Sequence, residues 1–411
     1  MTQQQALKIL KSGTNVFLTG SAGTGKTFLL NQFISYLKKS KIRVGVTAST
    51  GIAATHINGR TIHSWSGIGI KKEMNEKSIK KIARIKTLNE RIKKTKILII
   101  DEISMLDADR LNLVDRICRQ VKDPFLPFGG MQVIMCGDFF QLPPVNRDQK
   151  PRFAYESSVW QNSDIKVCYL SKQFRQNDLK FTDILNKIRA NRAGIEELNL
   201  LKTRLNQSIS LSVKPTKLYT HNVKVDAINN YELSRISKKE MTYYMISYGP
   251  KNLVDFLKKN CLTPEELKLK IGAIVMFVKN NFNAGYVNGT LGKVISYDDD
   301  KYPVVRTMSG HEIIALPTSW SIEENGKTIA TIKQIPLRLA WAITVHKSQG
   351  MSLDAAEIDL SKSFERGMGY VALSRVRTLN NIKLIGINQM ALEVSPEIVE
   401  KDKEFKQLSE I

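Results

Sequence analysis

Short apolar runs alternate with polar, helix-compatible stretches through the first part of the chain. VFLT (16–19) leads into a glycine-rich turn and an amphipathic stretch over 27–38, and IRVGVTA (42–48) follows. Two further runs, ILIIDE (97–102) and MQVIMCGD (131–138), each end in carboxylates. Runs of this length between helical stretches predict the strands of a parallel, doubly wound α/β sheet, with function at the strands' C-terminal ends.

Residues 71–96 interrupt that alternation. Ile79, Ile82, Ile85, Leu88 and Ile92 recur at helical spacing among lysines, which predicts a small basic helical insertion. An active element and a solvated surface helix both fit it. A second α/β block is expected from about residue 167, with VCYL (167–170) and KLYTH (217–221) as strands and 181–190 as a helix between them. From 272 to 335 the pattern changes. GAIVMFV, GKVISY and HEIIAL read as strands, with Asn288-Gly289 as a turn signal, so a small β-barrel insertion is expected. LAWAITV (339–345) then resumes the α/β pattern, followed by VALSR (371–375) and IKLIGI (382–387).

Composition sharpens this picture in one respect. Across 411 residues, Lys plus Arg number 62 against 39 Asp plus Glu, a formal charge of +23. Such an excess attracts polyanions and fits equally a nucleic-acid partner, whose binding would weaken with salt, and a solvated lysine-rich surface. No apolar run is long enough for a membrane span, and MTQQQALKIL lacks the basic-then-apolar pattern of a signal peptide. The four cysteines and five histidines are scattered without metal-ligand or disulfide spacing, which fits a reducing compartment. A cytoplasmic setting of prokaryotic or phage type is expected, with a nuclear one left open.

GSAGTGKT (20–27) carries the chemistry. It fits the P-loop pattern and lies between an expected strand and an expected helix. Backbone amides from Gly20, Ser21, Ala22, Gly23, Thr24 and Gly25 would cradle phosphates, helped by the following helix N-terminus. Lys26 would reach the β- and γ-phosphates of ATP, and the Thr27 hydroxyl would coordinate magnesium. Asp101 would face that magnesium from a strand tip, and Glu102 would polarise the attacking water. Gln141, three residues after Asp138, could bond the γ-phosphate or its water, with Pro143 and Pro144 stiffening the exit. Arg175 and Arg375 are candidates for transition-state charge.

Residues 47–67 mix hydroxyl residues, glycines and aromatic rings. Thr47, Ser49, Thr50, Gly51, Thr61 and His63 suit DNA phosphate contacts that read no sequence. Trp65 could stack a base or support the core. AITVHKSQG (342–350), read alone, leaves His346 open as a general base, a metal ligand or a group that serves a distant nucleotide site.

The ordered set GSAGTGKT, TASTGIAATHINGRTIHSW, LIIDEISML, GDFFQLPPV, FRQND, VMFVKNN, YVNGTLGKV, AWAITVHKSQG and YVALSRVR resembles the superfamily-1B DNA helicases. Within them it most resembles the Pif (petite integration frequency) helicases, with RecD and phage Dda more distant. The resemblance runs from Gln3 to about residue 387. It implies two RecA-like motor domains with ATP and Mg2+ between them, single-stranded DNA crossing both, and 5′→3′ translocation that unwinds duplex DNA. Motor domain 1A would span 1–67 and 97–166, with a wedge insertion over 68–96. Motor domain 2A would span 167–235 and 333–411, with an insertion over 236–332 bearing an SH3-like barrel.

Carried over residue by residue, Gln3 matches an adenine-reading glutamine, with Gln4 and Gln5 as adjacent alternatives. Lys26, Thr27, Asp101, Glu102, Gln141, Arg175 and Arg375 match nucleotide-contacting positions. Pro143, Pro144, Lys279 and Asn280 become DNA neighbours, and the resemblance turns His346, Lys347 and Ser348 to the DNA backbone and Gly350 towards the nucleotide. The family adds forked duplex and G-quadruplex DNA as partners, action as a monomer, and roles in replication, recombination, repair and telomere maintenance. Two other readings stand beside it: an RNA remodeller, and a nucleotide-gated switch that binds DNA without translocating.

Overall fold

The computed structural model describes residues 1–69, 71–144, 152–174, 178–209, 215–219, 225–281, 283–324, 327–345 and 348–410. The chain divides into two compact units. One comprises Met1–Phe174, Ser321–Ala330 and Glu400–Ile411; the other comprises Arg175–Trp320 and Thr331–Val399.

The first unit is built on a six-stranded parallel sheet. Its strands are β1 (Asn15–Gly20), β2 (Val44–Ala48), β3 (Arg60–Thr61), β4 (Ile97–Asp101), β5 (Gln132–Cys136) and β6 (Ile165–Leu170). Their order across the sheet is β3-β2-β4-β5-β1-β6. Every residue of β4 is buried, as expected for an apolar run covered on both faces. Because the strands are parallel, the C-terminal ends of β1, β4 and β5 open on one edge of the sheet. The helices of this unit are α1 (Gln3–Lys11), α2 (Lys26–Lys39), α3 (Gly51–His56), α4 (Ile62–Ser66), α5 (Glu76–Ala83), α6 (Lys86–Lys94), α7 (Ala108–Val121) and α8 (Ser158–Gln161).

The basic helical insertion expected over 71–96 is present as two helices, α5 and α6. They bury Ile79, Leu88 and Ile92, while Ile85 at the break between them is exposed.

Two boundaries differ from the expectation. The strand at 167–170, read as opening the second block, is β6. It pairs with β1 along its whole length, from Asn15 opposite Ile165 to Gly20 opposite Leu170. The end of the chain, assigned to the second motor domain, also contributes to the first unit. Phe405 packs on Phe17 with ring centroids 4.9 Å apart, and the Tyr169 hydroxyl donates to Asp402 at 3.0 Å. An apolar run reports that a strand is buried, and its neighbours are settled only by tertiary packing.

The second unit holds a four-stranded parallel sheet and a β-rich region. The parallel sheet has the order β18-β7-β19-β20. In chain order, the strands from Thr216 onward are β7 (Thr216–Tyr219), β8 (Glu240–Tyr244), β9 (Ile246–Tyr248), β10 (Glu266–Lys270), β11 (Ile274–Phe277), β12 (Leu291–Tyr297), β13 (Pro303–Thr307), β14 (Glu312–Ile314), β15 (Thr318–Glu324), β16 (Lys327–Gln334), β17 (Leu337–Leu339), β18 (Ala342–Thr344), β19 (Ala356–Leu360) and β20 (Ile382–Ile387), of which β15 and β16 belong in part to the first unit through Ser321–Ala330. The three strands expected in the insertion fall on β11, β12 and β14. With β13 and β17 they form a five-stranded antiparallel sheet ordered β14-β13-β12-β11-β17. Helices α9 (Leu179–Arg189), α10 (Ile195–Lys202), α11 (Val225–Ser234), α12 (Lys251–Asn260) and α13 (Met368–Leu373) complete the unit. VALSR (371–375) lies at the end of α13.

Candidate nucleotide and nucleic-acid site

The glycine-rich turn joins β1 to α2. Gly20 has φ 145°, and a Cβ there would lie 2.5 Å from the Leu170 carbonyl oxygen, so the turn beside β6 has room only for glycine. Gly25 (φ 80°) is the left-handed N-cap of α2, and a Cβ there would collide with the Gln3 amide. The Thr24 hydroxyl donates to the Ser21 carbonyl at 3.0 Å. The Lys26 ammonium folds back onto the carbonyls of Gly20 (2.7 Å) and Ser21 (3.1 Å). Ala22 is buried, and Thr27 is exposed in the first turn of α2.

The three adjacent glutamines separate by role. Gln5 closes a capping box with Thr2, which starts α1. Gln4 is exposed. Gln3 donates through Nε2 to the Thr24 carbonyl at 3.2 Å and so lies on the glycine-rich turn.

Two further residues on that turn escaped the sequence reading. The Gln173 amide donates to the Ser21 hydroxyl at 2.8 Å, and the Phe174 N–H donates to the Gly23 carbonyl at 2.9 Å. The available signal was their position directly before Arg175 in KQFRQND, where only the charge drew notice.

Asp101 ends β4 and is buried. One of its oxygens accepts the Glu102 N–H at 2.9 Å. Burial pushes its pKa up, against the opposing pull of the Cys136 thiol, the Glu102 amide and the Lys26 ammonium. Glu102 is left-handed (φ 52°, ψ 46°), a conformation uncommon outside glycine. Its carbonyl accepts the Ser49 hydroxyl at 2.6 Å. Beyond β5, the buried Asp138 carboxylate accepts the Phe140 N–H at 3.2 Å and meets the Gln141 amide at 3.5 Å. Gln141 is thereby oriented.

The donor set suits magnesium. Thr27 and Asp101 offer hard oxygen ligands, and among the described residues no cluster of three His, Cys, Asp or Glu side chains could hold a metal alone. Such a pair fits an ion that takes its remaining ligands from nucleotide phosphates and water.

The stretch over 47–67 divides into buried and presented groups. Thr47 is buried, and its hydroxyl donates to the Ile99 carbonyl at 2.6 Å, so it is turned into the sheet and away from any phosphate. The Ser49 hydroxyl is likewise committed, to Glu102. Thr50 and Thr61 are half-buried and cap α3 and α4 by accepting the N–H groups of Ala53 and Ser64. Gly51 opens α3. His63 is half-buried, and burial followed by the Arg110 charge pushes its pKa down, so the ring is neutral near pH 7. Trp65 is buried and fills the space above Gly45, whose added Cβ would meet its ring at 3.0 Å. It supports the core and is not placed to stack a base.

Pro143 is half-buried and Pro144 is buried. In the second unit, the Lys279 ammonium donates to the Ser319 carbonyl and lies 5.1 Å from the Trp320 ring centroid. Asn280 is exposed, and its side-chain oxygen accepts the Asn288 N–H at 2.7 Å. Ser348 is fully buried, and its hydroxyl donates to the Val345 carbonyl at 2.7 Å, which takes it away from a DNA-facing role. Gly350 has φ 78°. Arg375 is 1% exposed, and its guanidinium folds back on the end of α13, donating to the Val371 carbonyl and the Ser374 hydroxyl at 2.8 Å each. Arg175, His346 and Lys347 lie outside the described residues.

Comparison with known proteins agrees with this layout. A family model described as PIF1-like helicase matches residues 2–196, and one described as DNA helicase Pif1, 2B domain, matches residues 252–297. The ATP-dependent DNA helicase Pif1 of Psychrobacter sp. is 45% identical over 100% of this chain and 71% of its own length. Pif1 from Bacteroides sp. in complex with ADP-AlF4 is similar at a TM-score of 0.82 and 32% identity, covering 98% of this chain and 96% of that one. Bacteroides Pif1 bound to single-stranded DNA is similar at a TM-score of 0.64 and 32% identity, with the same coverage.

Proposed function

The chain belongs to the PIF1-like helicase family, and from that premise we propose that it moves 5′→3′ along single-stranded DNA and unwinds the duplex ahead of it. It is a DNA helicase that uses ATP. The observation that supports ATP as the driving ligand is the meeting, in one unit, of a glycine-built phosphate cradle and the Asp101–Glu102 pair, with the Lys26 charge acting on Asp101, and the direction of movement is taken from the family.

In this reading the Lys26 ammonium leaves the carbonyls of Gly20 and Ser21 for phosphate oxygens, exchanging one set of acceptors for a more highly charged one. Thr27 and Asp101 hold Mg2+, which neutralises phosphate charge when bound. Glu102 orients the attacking water and draws its proton. Gln141, steadied by Asp138, bonds the γ-phosphate or that water. Arg375 and Arg175 add charge at the transition state, worth roughly 10³–10⁵ in rate. Gln3 reads the adenine edge. Thr50, Gly51 and Thr61 touch the DNA backbone from the unit that holds the nucleotide. Forked duplex and G-quadruplex DNA are its structured substrates, and one chain suffices for movement.

Forked duplexes with a 5′ or a 3′ single-stranded tail test the proposal, with Lys26→Ala as control. ATP-dependent separation of the 5′-tailed fork alone is expected. Separation of the 3′-tailed fork would reverse the polarity. Nucleotide-dependent DNA binding without strand separation would make the chain a gated switch. Stronger ATPase stimulation by RNA than by DNA would favour an RNA remodeller.

A further inference from the structure

Asp101 has a neighbour to which the proposed mechanism gives no part. Cys136 ends β5, the strand that lies between β4 and β1. In the β4–β5 register Ile100 stands opposite Met135, so the next residues, Asp101 and Cys136, stand side by side at the two strand tips. On its other side Cys136 stands opposite Leu18 of β1, two residues before the glycine-rich turn. Residues in register on neighbouring strands project to the same face of a sheet, which brings the thiol onto the carboxyl group. A hydrogen bond joins the two side chains, and both residues are buried.

The contact meets a need of the site. The terminal torsion of an aspartate is soft, so one hydrogen bond leaves its carboxyl group free to turn. The Glu102 N–H supplies one bond to Asp101, at 2.9 Å, from the same strand tip. The thiol supplies a second from a different strand, and two donors from two directions fix the carboxyl plane. An ionised carboxylate accepts at about four sites, so two remain for a cation. The backbone that carries the thiol is itself held. The Gly137 N–H donates to the Leu18 carbonyl at 3.1 Å, and a Cβ on Gly137 would lie 3.0 Å from the Ile103 nitrogen. A buried cysteine commonly only fills space. This one is also within reach of the Lys26 and Glu102 charges, so it stands among the groups of the nucleotide site.

We infer that Cys136 is a positioning residue for the metal: its thiol holds the Asp101 carboxylate in the orientation that receives Mg2+, and so sets the affinity for the ion without touching it. The inference rests on the reading of Thr27 and Asp101 as the magnesium ligands. It adds a residue of β5 to a site otherwise drawn from the glycine-rich turn and the tip of β4.

The test is the binding of Mn2+, a paramagnetic substitute for Mg2+, to the full chain with ADP, read by electron paramagnetic resonance. Alanine and serine at position 136 differ by one hydroxyl, so their comparison isolates the donor. Cys136→Ala should weaken Mn2+ binding about 3- to 10-fold, the range for one lost hydrogen bond, and Cys136→Ser should stay within about twofold of wild type. Metal-free binding of ADP should be the same in all three. In ATPase assays the Mg2+ concentration for half-maximal rate should rise by the same factor in Cys136→Ala, while kcat at saturating Mg2+ holds. Equal Mn2+ affinities of Cys136→Ala and Cys136→Ser overturn the inference. So does a loss of metal-free ADP binding as large as the loss of Mn2+, because the phosphate cradle itself would then have shifted. Should these smaller side chains not fold, Cys136→Val and Cys136→Thr, matched to each other in size, repeat the comparison. Asp101→Asn and Thr27→Ala test the underlying reading. Wild-type Mn2+ binding in both would strike the metal assignment itself. Loss of Mn2+ in both, with Cys136→Ala equal to Cys136→Ser, would strike only the role of Cys136.

Discussion

The Ser49 hydroxyl donates to the Glu102 carbonyl at 2.6 Å, and the Ser49 N–H donates to the Asp101 carbonyl at 3.0 Å. Two consecutive bonds thus splice the end of β2 onto the acidic pair at the end of β4. The next residue, Thr50, caps α3 and is a proposed DNA contact. A segment proposed to meet DNA is therefore bonded to the backbone of the proposed water-orienting glutamate. That glutamate holds a left-handed conformation, which persists only where its surroundings enforce it.

Ser49 is accordingly a positioning residue, and Ser49→Ala should uncouple DNA from hydrolysis. Loss of one buried hydrogen bond costs about 0.5–1.5 kcal/mol, which corresponds to a drop of about 2- to 13-fold in DNA-stimulated kcat. The KM for ATP and the DNA-free rate should stay near wild type, and Ser49→Thr should recover most of the loss. Steady-state ATPase assays with and without oligothymidylate read all four quantities. Equal loss of stimulated and basal rates would reduce Ser49 to a structural role.

Asp101 predicts a pH dependence with a definite sign. Burial raises its pKa, so the folded nucleotide-free chain keeps a proton that the unfolded chain releases. The associated stability is fully present below the unfolded pKa and is lost as pH rises through the folded one. Asp101→Asn removes the cost of the buried charge. Its Tm should exceed that of the wild type near neutral pH, and the gap should close as pH falls. Stabilisation of the wild type by magnesium and nucleotide should grow over the same interval, because the ion needs the carboxylate. Thermal melts across a pH series decide it, and a gap that does not vary with pH would remove Asp101 titration from the account.

The strands of the first sheet were legible because both their faces are buried, which leaves unbroken apolar runs such as ILII before Asp101. The glycine-rich turn was legible because its backbone needs glycine. Pairing was not legible. The run VCYL is equally apolar whether it opens a second sheet or, as β6, closes the first. The direction of small hydroxyls was hidden as well. Thr47, Ser49, Thr50 and Thr61 look alike in sequence, yet two turn inward to carbonyls and two cap helices. Ser348 was misjudged for the same reason: next to His346 and Lys347 it reads as exposed, and packing places it inside.

Gln3 and Gln5 make opposite predictions despite their proximity. Gln3 touches the glycine-rich turn through Thr24, and Gln5 only caps α1. Gln3→Ala should raise the KM for ATP about 3- to 10-fold while leaving that for GTP nearly unchanged, because a lost base-specific hydrogen bond costs about 1 kcal/mol. Gln5→Ala should leave nucleotide selectivity intact and lower stability by roughly 0.5–1 kcal/mol through the weakened cap. Nucleotide competition assays paired with thermal melts separate the two. Loss of selectivity in Gln5→Ala, or none in Gln3→Ala, would reassign the base-reading glutamine.

Arg375 offers the most direct test of transition-state charge. Its guanidinium folds back on the end of α13, held by the Val371 carbonyl and the Ser374 hydroxyl. A catalytic arginine must exchange those contacts for phosphate oxygens during turnover, which costs little where neutral acceptors give way to charged ones. Arg375→Ala should therefore bind ATP within about threefold of wild type but lose about 10³ in DNA-stimulated kcat. Because the residue is buried, its Tm must be read alongside, and Ser374→Ala supplies the discriminating comparison. That variant keeps the guanidinium and loosens its resting contact, so turnover should hold or rise if the arginine acts on phosphate. A fall in stability with parallel losses in both variants would mean that Arg375 only pins α13, and near-wild-type hydrolysis in Arg375→Ala would remove it from the mechanism.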